Sequence, residues 1–577
     1  MFILGILSLF QIWFLPGLFF LSFSKKLELL DMIILSVPLS ITINYFLVYF
    51  LVNFEIYSQF NLLLIIIFEI SYIIYNSLNN IKLKKSLLTI ENFLVHKNEI
   101  NIKLNILDIL ILLCFFIISF LGFQTIGEVI HIGDAIRSYN PWSIIWFNNK
   151  IDDFDPGIYT QGLPILMSVS YKLINNTNVE FFARALIVIY PIWVYLIYYR
   201  ASHIYSKYKI FIKISLIISS VVFLYILRNY AMFIGYVEPI TYLTSVSTLY
   251  IISLIFFFEK KFNVFEYIIF VLVIISNPLL KPTGFHIIAT LPLLYLVFLN
   301  TKKVDKIFTK LLVIFSIISI PFFWLFNKLL QIFITKTSSS NIDFILSINT
   351  STLLEKLISI FSFMWVPCIF FSIYGLINKK SLIIFLIITL PYLILYYFLL
   401  GYDNRHFLII LPFMSLNITF GIYELYKRLN FSNISLPNFL SISFFVFFFF
   451  VIIFFINAFR GDERLINSSI SKKMLRGDIQ INTLLYHYAG KDNFKIISVP
   501  NYLDFEFLPL IGHRVEVEGE CLMTKKNIYD QKFYLIVEAS YCKKQIGNEW
   551  LNSYLNNNFK ILFEFKNYYL LFKEINN

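Results

Sequence analysis

A chain of 577 residues that is 58% hydrophobic and 14% charged, with 66 phenylalanines, cannot close as a soluble domain, because too few polar side chains remain to cover its surface. Nor does its net charge of +12 describe a nucleic-acid binder: the basic residues sit in short loops between apolar runs rather than along one face. The composition implies a polytopic membrane protein, with apolar runs of about 18 or more residues, the length that crosses a hydrocarbon core of roughly 30 Å.

The first run, MFILGILSLFQIWFLPGLFFLSF, lacks a basic leader and a small-residue cleavage site, so it reads as a retained span over 2–23. Apolar segments follow at 31–52, 61–77, 105–123, 183–199, 212–227, 240–258, 265–276, 285–299, 311–327, 357–376, 382–400, 406–425 and 438–457. That pattern predicts about fourteen crossings. The segments 265–276 and 285–299 are short and enclose Pro278 and Pro282, as a broken or re-entrant pair would. One alternate set of loops carries 21 Lys and Arg in 81 positions, and the opposite set carries 9 in 121. The basic set is therefore expected in the cytoplasm, with both termini and the polar tail outside.

The chain divides into added N-terminal helices and a cytoplasmic loop (1–104), a membrane region with a long outer loop at 124–182 (105–459), and a tail (460–577). In the tail, FKIISV, RVEVEG, FYLIVEAS and KILFEFKNYYLLFKEI alternate like strands, and NEWLNSYLNN reads as a helix. A small extracytoplasmic α/β domain is expected. Cys521 and Cys542 fall in it, and their spacing leaves both a disulfide and two free thiols open. The halves of the chain do not resemble each other, and there are no heptads.

The outer loops hold the chemistry. GEVIHIGDAIRSYNPWSIIWF places Asp134 about ten residues beyond a span, with Arg137 one helical turn later. Trp142 and Trp146, four residues apart, suit an amphipathic helix lying at the interface. An interfacial anchor accounts for the tryptophans but not for Asp134, since a carboxylate beside hydrocarbon is costly unless paired or used. YVEPITY sets Glu238 before a span, NPLLKPTGFH sets Lys281 and His286 between two segments, and GYDNRHFLIILP sets Asp403, Arg405 and His406 between two more. Singly, each is more often a snorkelling or capping residue. Together they place acids and bases on one side of the membrane at one depth. Such a set suits a lipid-borne phosphorylated sugar: Lys and Arg hold the phosphate, and a carboxylate deprotonates the incoming hydroxyl.

At these residues the sequence resembles the GT-C superfamily of integral-membrane glycosyltransferases, which use polyprenyl-phosphate-linked sugars. The likeness rests on GDAIRSYNPW in a long first outer loop, KPTG between two short segments, DNRHFLIILP entering a span, and a terminal α/β tail. It implies an all-α bundle of about fourteen membrane helices with a small extracytoplasmic α/β domain, in a bacterial inner membrane with the active site facing the periplasm. It also implies an inverting transfer to an extracytoplasmic glycan, lipid or protein. It makes Asp134 the catalytic residue and gives the donor phosphate to Lys281, Arg405 and Arg137; the outer-turn reading adds Glu238 as a second catalytic candidate and His406 as a further donor-binding one. The chain departs from the pattern in having three extra spans first, and Glu128 lies six residues before Asp134, not two. No cofactor is implied with certainty. Divalent-metal dependence stays open, with Asp152, Asp153 and Asp155 as weak candidates whose plainer reading is a solvated acidic turn.

Three rival readings remain. A polysaccharide polymerase or O-antigen ligase also has many spans and a large outer loop. A lipid-linked oligosaccharide flippase or transporter predicts related halves and polar residues buried at mid-bilayer. An assembly partner working through its tail lacks support, because the tail has no nucleophile elbow, metal cluster or phosphate loop.

Overall fold

The computed structural model describes residues 1–24, 26–79, 138–149, 160–177, 179–204, 209–227, 237–257, 262–299, 365–400 and 404–428 of the helical part, with single positions among 111–119, 310–314 and at 355. In the tail it describes 495–499, 507–508, 513–514, 516–517, 521, 533–556, 559–565 and 568–573.

The N-terminal helices are α1 (Phe2–Trp13), α2 (Leu15–Leu21), α3 (Leu29–Asn53) and α4 (Gln59–Asn79). α1 and α2 form one apolar run bent by 44°, with Pro16 in the first turn of α2, where a missing N–H costs nothing. α3 continues through Pro38. That proline deprives the Ile34 carbonyl of its usual donor, and the indole N–H of Trp193 supplies one at 3.0 Å.

The central helices are α5 (Asn140–Phe147), α6 (Gly162–Ile174), α7 (Glu180–Ala185), α8 (Ile189–Ile204), α9 (Lys209–Leu227), α10 (Glu238–Ile252), α11 (Val264–Leu280) and α12 (Phe285–Leu299). Then come α13 (Trp365–Gly375), α14 (Lys379–Ile384) and α15 (Leu390–Leu395), the last two joined by a π-turn at Phe385–Thr389, and α16 (Leu411–Arg428). Four stretches among the described residues are long and apolar enough to cross a membrane: Leu29–Asn53, Gln59–Asn76, Glu180–Ser202 and Lys379–Phe398. The bent α1–α2 pair makes a fifth if it counts as one span. The expected segments 105–123, 311–327 and 438–457 lie wholly or mostly outside the described residues.

Two expectations need correction. The segment expected at 265–276 extends to Leu280, so Pro278 lies inside the helix rather than between the two segments, while its 17 residues keep it among the shorter apolar helices. It starts in a capping box between Asn263 and Glu266. It passes Pro278 because the Asn277 amide donates to the orphaned Ile274 carbonyl at 2.9 Å. The outer segment 124–182 is no plain loop either: α6 is buried along nearly its whole length. Trp146 is fully buried, with its indole N–H on Gln161 Oε1 at 3.1 Å, and Trp142 is 7% exposed. Trp146 therefore packs inside the protein at the start of α6, and Trp142 is buried beside Tyr139, rather than both lying in an interface. Two indoles at this spacing share one helix face whether that face meets lipid or protein.

The polar contacts sort by end. At one end, Ser24 Oγ donates to Glu266 Oε1 at 2.7 Å, as does the Lys26 N–H. At the same end Arg200 reaches Asp31 at 2.6 Å, and Asn378 donates to Glu424 at 3.1 Å. These residues come from, or border, the loops rich in Lys and Arg. At the other end, Lys172 donates to the Phe147 carbonyl at 2.7 Å, and Thr160 donates to the Leu280 carbonyl at 2.6 Å.

The tail carries a five-stranded sheet in the order β4-β1-β5-β7-β6 and a two-stranded β2–β3 pair. The strands are β1 (Lys495–Val499), β2 (Phe507–Leu508), β3 (His513–Arg514), β4 (Glu516–Val517), β5 (Phe533–Glu538), β6 (Phe559–Phe565) and β7 (Tyr568–Lys573). β1 pairs in parallel with β4 and β5, whereas β7 is antiparallel to β5 and β6. Two helices, α17 (Ala539–Ile546) and α18 (Trp550–Leu555), lie between β5 and β6 in the chain. Trp550 and Tyr554 of α18 pack with Leu535, Val537 and Leu571. Cys521 and Cys542 form a disulfide with their Cα atoms 5.5 Å apart, which decides between the two alternatives the spacing left open.

Candidate functional site

Glu238, Lys281 and Arg405 lie far apart in sequence and meet at one carboxylate oxygen. Glu238 opens α10, with Pro239 next to it, so an acid occupies the positive end of the helix. Lys281 is the C-cap of α11 and leaves it in extended conformation. Arg405 lies in the 3-10 turn Asn404–Ile409 that precedes α16.

Each of these elements is tied to its neighbours. Asn277 accepts from the Thr244 hydroxyl at 3.0 Å and donates to Thr248 at 2.9 Å, which pins the end of α11 to α10. Gly284 closes the KPTG turn, its N–H on the Lys281 carbonyl at 2.9 Å. A Cβ there would sit 2.3 Å from the Asn277 backbone, so no larger residue allows this turn to fold back. The Arg405 turn is held from two sides. Tyr392 donates to the His406 carbonyl and Tyr396 donates to Asn404 Oδ1 at 3.1 Å. From α10, Ser245 donates to the Ile409 carbonyl.

Lys281 Nζ donates to Glu238 Oε1 at 3.0 Å, and Arg405 Nη1 stands 3.8 Å from the same oxygen. The Glu238 side chain is 3% exposed, that of Lys281 11% and that of Arg405 17%. Among the described residues, two cations converge on one carboxylate, and both are donor types that bind an anion. The other oxygen, Oε2, is buried with no hydrogen-bond partner among the described residues, an unused acceptor on a buried carboxylate.

Of the other residues singled out in the sequence, His406 adjoins Arg405 in the same turn, and its carbonyl accepts from Tyr392 rather than from a member of the charged cluster. His286 faces elsewhere: its Nε2 lies 2.7 Å from the Ile388 carbonyl, and its ring packs edge-on to Tyr392. Asp134, Arg137, Glu128, Asp152, Asp153, Asp155 and Asp403 lie outside the described residues. Among the described residues, no three His, Cys, Asp or Glu side chains converge as a metal site would require.

Two buried polar clusters escape a reading confined to the outer loops. Arg200 grips Asp31 through Nε at 2.6 Å and Nη2 at 3.0 Å, and Tyr250 donates to the same carboxylate at 2.7 Å. In the sequence Arg200 opens a basic segment expected as a loop, whereas it lies in α8, which is why its pairing is hidden. In the N-terminal helices, Gln11 donates to Asn44 at 3.3 Å, and Glu69, 5% exposed, lies beside Gln11. A glutamate within IIIFEISYII is itself a signal for that second cluster.

A cavity of about 300 Å³ lies between α8, α9, α10 and α16. Its wall from Val246 on α10 to Ser253 just beyond that helix begins about 12 Å along the helix from Glu238 at 1.5 Å per residue. It is separate from the charged cluster. Comparison with protein-family models, curated proteins and solved structures returns no match to this chain.

Proposed function

We propose that the chain is a membrane glycosyltransferase of GT-C type that moves a sugar from a polyprenyl phosphate to an extracytoplasmic acceptor. The observation that carries the reading is the convergence of Lys281 and Arg405 on buried Glu238, at the end of the bundle away from the Lys- and Arg-rich loops. In this reading Lys281 and Arg405 hold the donor phosphate, and the free oxygen of Glu238 accepts from a hydroxyl of the sugar or acceptor. Glu238 is flanked by two cations, which suits positioning better than proton abstraction, so the base is Asp134. Asp134 takes the proton of the acceptor hydroxyl, whose oxygen bonds to the anomeric carbon as the bond to phosphate breaks. The phosphate departs with the electron pair, and Lys281 and Arg405 stabilise its charge.

The finer architecture belongs to the same proposal: about fourteen crossings in a bacterial inner membrane, with the tail and the site facing the periplasm. The Cys521–Cys542 bridge supports that orientation, because disulfides persist in oxidising compartments. The test is reconstitution of the full chain in vesicles with radiolabelled polyprenyl-phosphate sugars. Wild type is expected to form labelled glycoside, and Asp134→Asn to bind donor without turnover. Equal turnover by the two would remove Asp134 from the base role. One observation favours a second reading, a lipid-linked-sugar transporter: Gln11, Asn44 and Glu69 are buried partway along their helices. In that case label would cross the vesicle membrane with its donor bond intact.

A further inference from the structure

The cavity among α8, α9, α10 and α16 has apolar walls, including Ile197, Val246, Leu249 and Leu416. Its lining ends at Asn378, Lys379 and Lys380, and both lysines are exposed. Lys427 and Arg428 are also exposed on α16, and Arg428 lies over the Tyr374 ring at 5.6 Å. Among the described acids nearby, Glu424 accepts from Asn378, and Asp31 is held by Arg200 and Tyr250. An apolar slot with a cationic rim matches one kind of amphiphile, an apolar chain with an anionic head. Basic pockets between membrane helices bind lipid headgroups on the side where Lys and Arg concentrate.

We propose that this cavity binds an anionic glycerophospholipid, with acyl chain between Ile197, Val246, Leu249 and Leu416 and phosphate at Lys379 and Lys380. At about 300 Å³ the slot is at the small end of ligand cavities (roughly 300–1,000 Å³), which suits part of one acyl chain better than a long polyprenyl chain. Tyr250 forms part of the wall while its hydroxyl is tied to Asp31, so the slot is held by the buried Arg200–Asp31 pair. The inference is independent of the transfer reaction and uses a different region of the protein.

The test uses the delipidated full-length chain in detergent, incubated with equal amounts of phosphatidylglycerol and phosphatidylcholine, with bound lipid counted by native mass spectrometry. Phosphatidylglycerol is expected to be retained at least tenfold over phosphatidylcholine. Replacing both lysines, K379Q with K380Q, alters only exposed positions and should abolish the preference. Ala201→Trp, or Val246→Phe from the facing helix, fills the slot and should cut phosphatidylglycerol retention at least tenfold with both lysines intact. Equal retention of the two lipids by wild type overturns the proposal. So does full retention by a slot-filled variant with unchanged Tm, or displacement of phosphatidylglycerol by an equal concentration of polyprenyl phosphate.

Discussion

Replacing Lys281 with methionine separates its pairing with Glu238 from its proposed role in holding the donor phosphate. Its ammonium lies 3.0 Å from Glu238 Oε1, and the Arg405 guanidinium lies 3.8 Å from the same atom. At an effective dielectric constant of about 20, these gross attractions are about 5.5 and about 4.4 kcal/mol, before the cost of removing the ions from water. Breaking a buried pair costs about 3–5 kcal/mol in full. Here Arg405 still neutralises the carboxylate, so the expected loss of stability lies near the lower bound of that range, about 3 kcal/mol. Donor binding should weaken separately, by the about 1.5–3 kcal/mol of one charge-assisted hydrogen bond, or roughly 10- to 150-fold. The assay combines thermal unfolding with donor KM and kcat in a double-mutant cycle with Glu238→Gln. In the Glu238→Gln background the stability cost of Lys281→Met should shrink, because no buried carboxylate remains to be stranded. The loss of donor binding should persist. A cycle in which Lys281→Met destabilises the protein but leaves KM and kcat unchanged would refute the phosphate role and leave Lys281 purely structural.

Other regions yield checks of their own. Arg200→Met should destabilise the protein by about 3–5 kcal/mol, because Asp31 is buried and, among the described residues, keeps only the Tyr250 hydroxyl. Adding Asp31→Asn should recover much of that loss in a denaturation series, whereas Glu28, 63% exposed, should contribute little. Reducing the Cys521–Cys542 bridge, which joins residues 21 apart, should cost the tail about 3 kcal/mol, read as lost hydrogen-exchange protection in β5 and α17. Tyr569 donates to Glu564 at 2.5 Å, and this bond, more than burial, pushes its phenol from 10.0 up to about 12. Because the folded value is the higher one, the bond's contribution is complete below pH 10 and is lost as pH rises through about 12. Spectrophotometric titration should show the late phenol, and Glu564→Gln should return it toward 10.

Much of the architecture is legible from local pattern. Apolar length marked α3, α4, α8 and the α14–α15 run, because a hydrocarbon core sets a minimum that depends on composition alone. Alternation marked the tail strands in KIISV, FYLIVE and YYLLFK. Boundaries were less legible where a distant or side-chain donor rescues a proline. Neither Trp193 on the Ile34 carbonyl nor Asn277 on the Ile274 carbonyl follows from the spacing of apolar residues. The tryptophans of α5 show the same limit. Their four-residue spacing fixes a shared face, but what that face meets depends on α6, whose buried length looked like loop.

The sequence by itself determined that the chain carries segments long and apolar enough to cross a membrane, which stretches between them are basic, and which residue types stand at helix ends, since each follows from composition and order. Tertiary structure alone decided that Glu238, Lys281 and Arg405 share one oxygen, that Arg200 is spent on Asp31, and that Cys521 meets Cys542. Electrostatic pairing depends on distances of a few ångströms between segments as much as 169 residues apart, and only the packing of helices sets those distances.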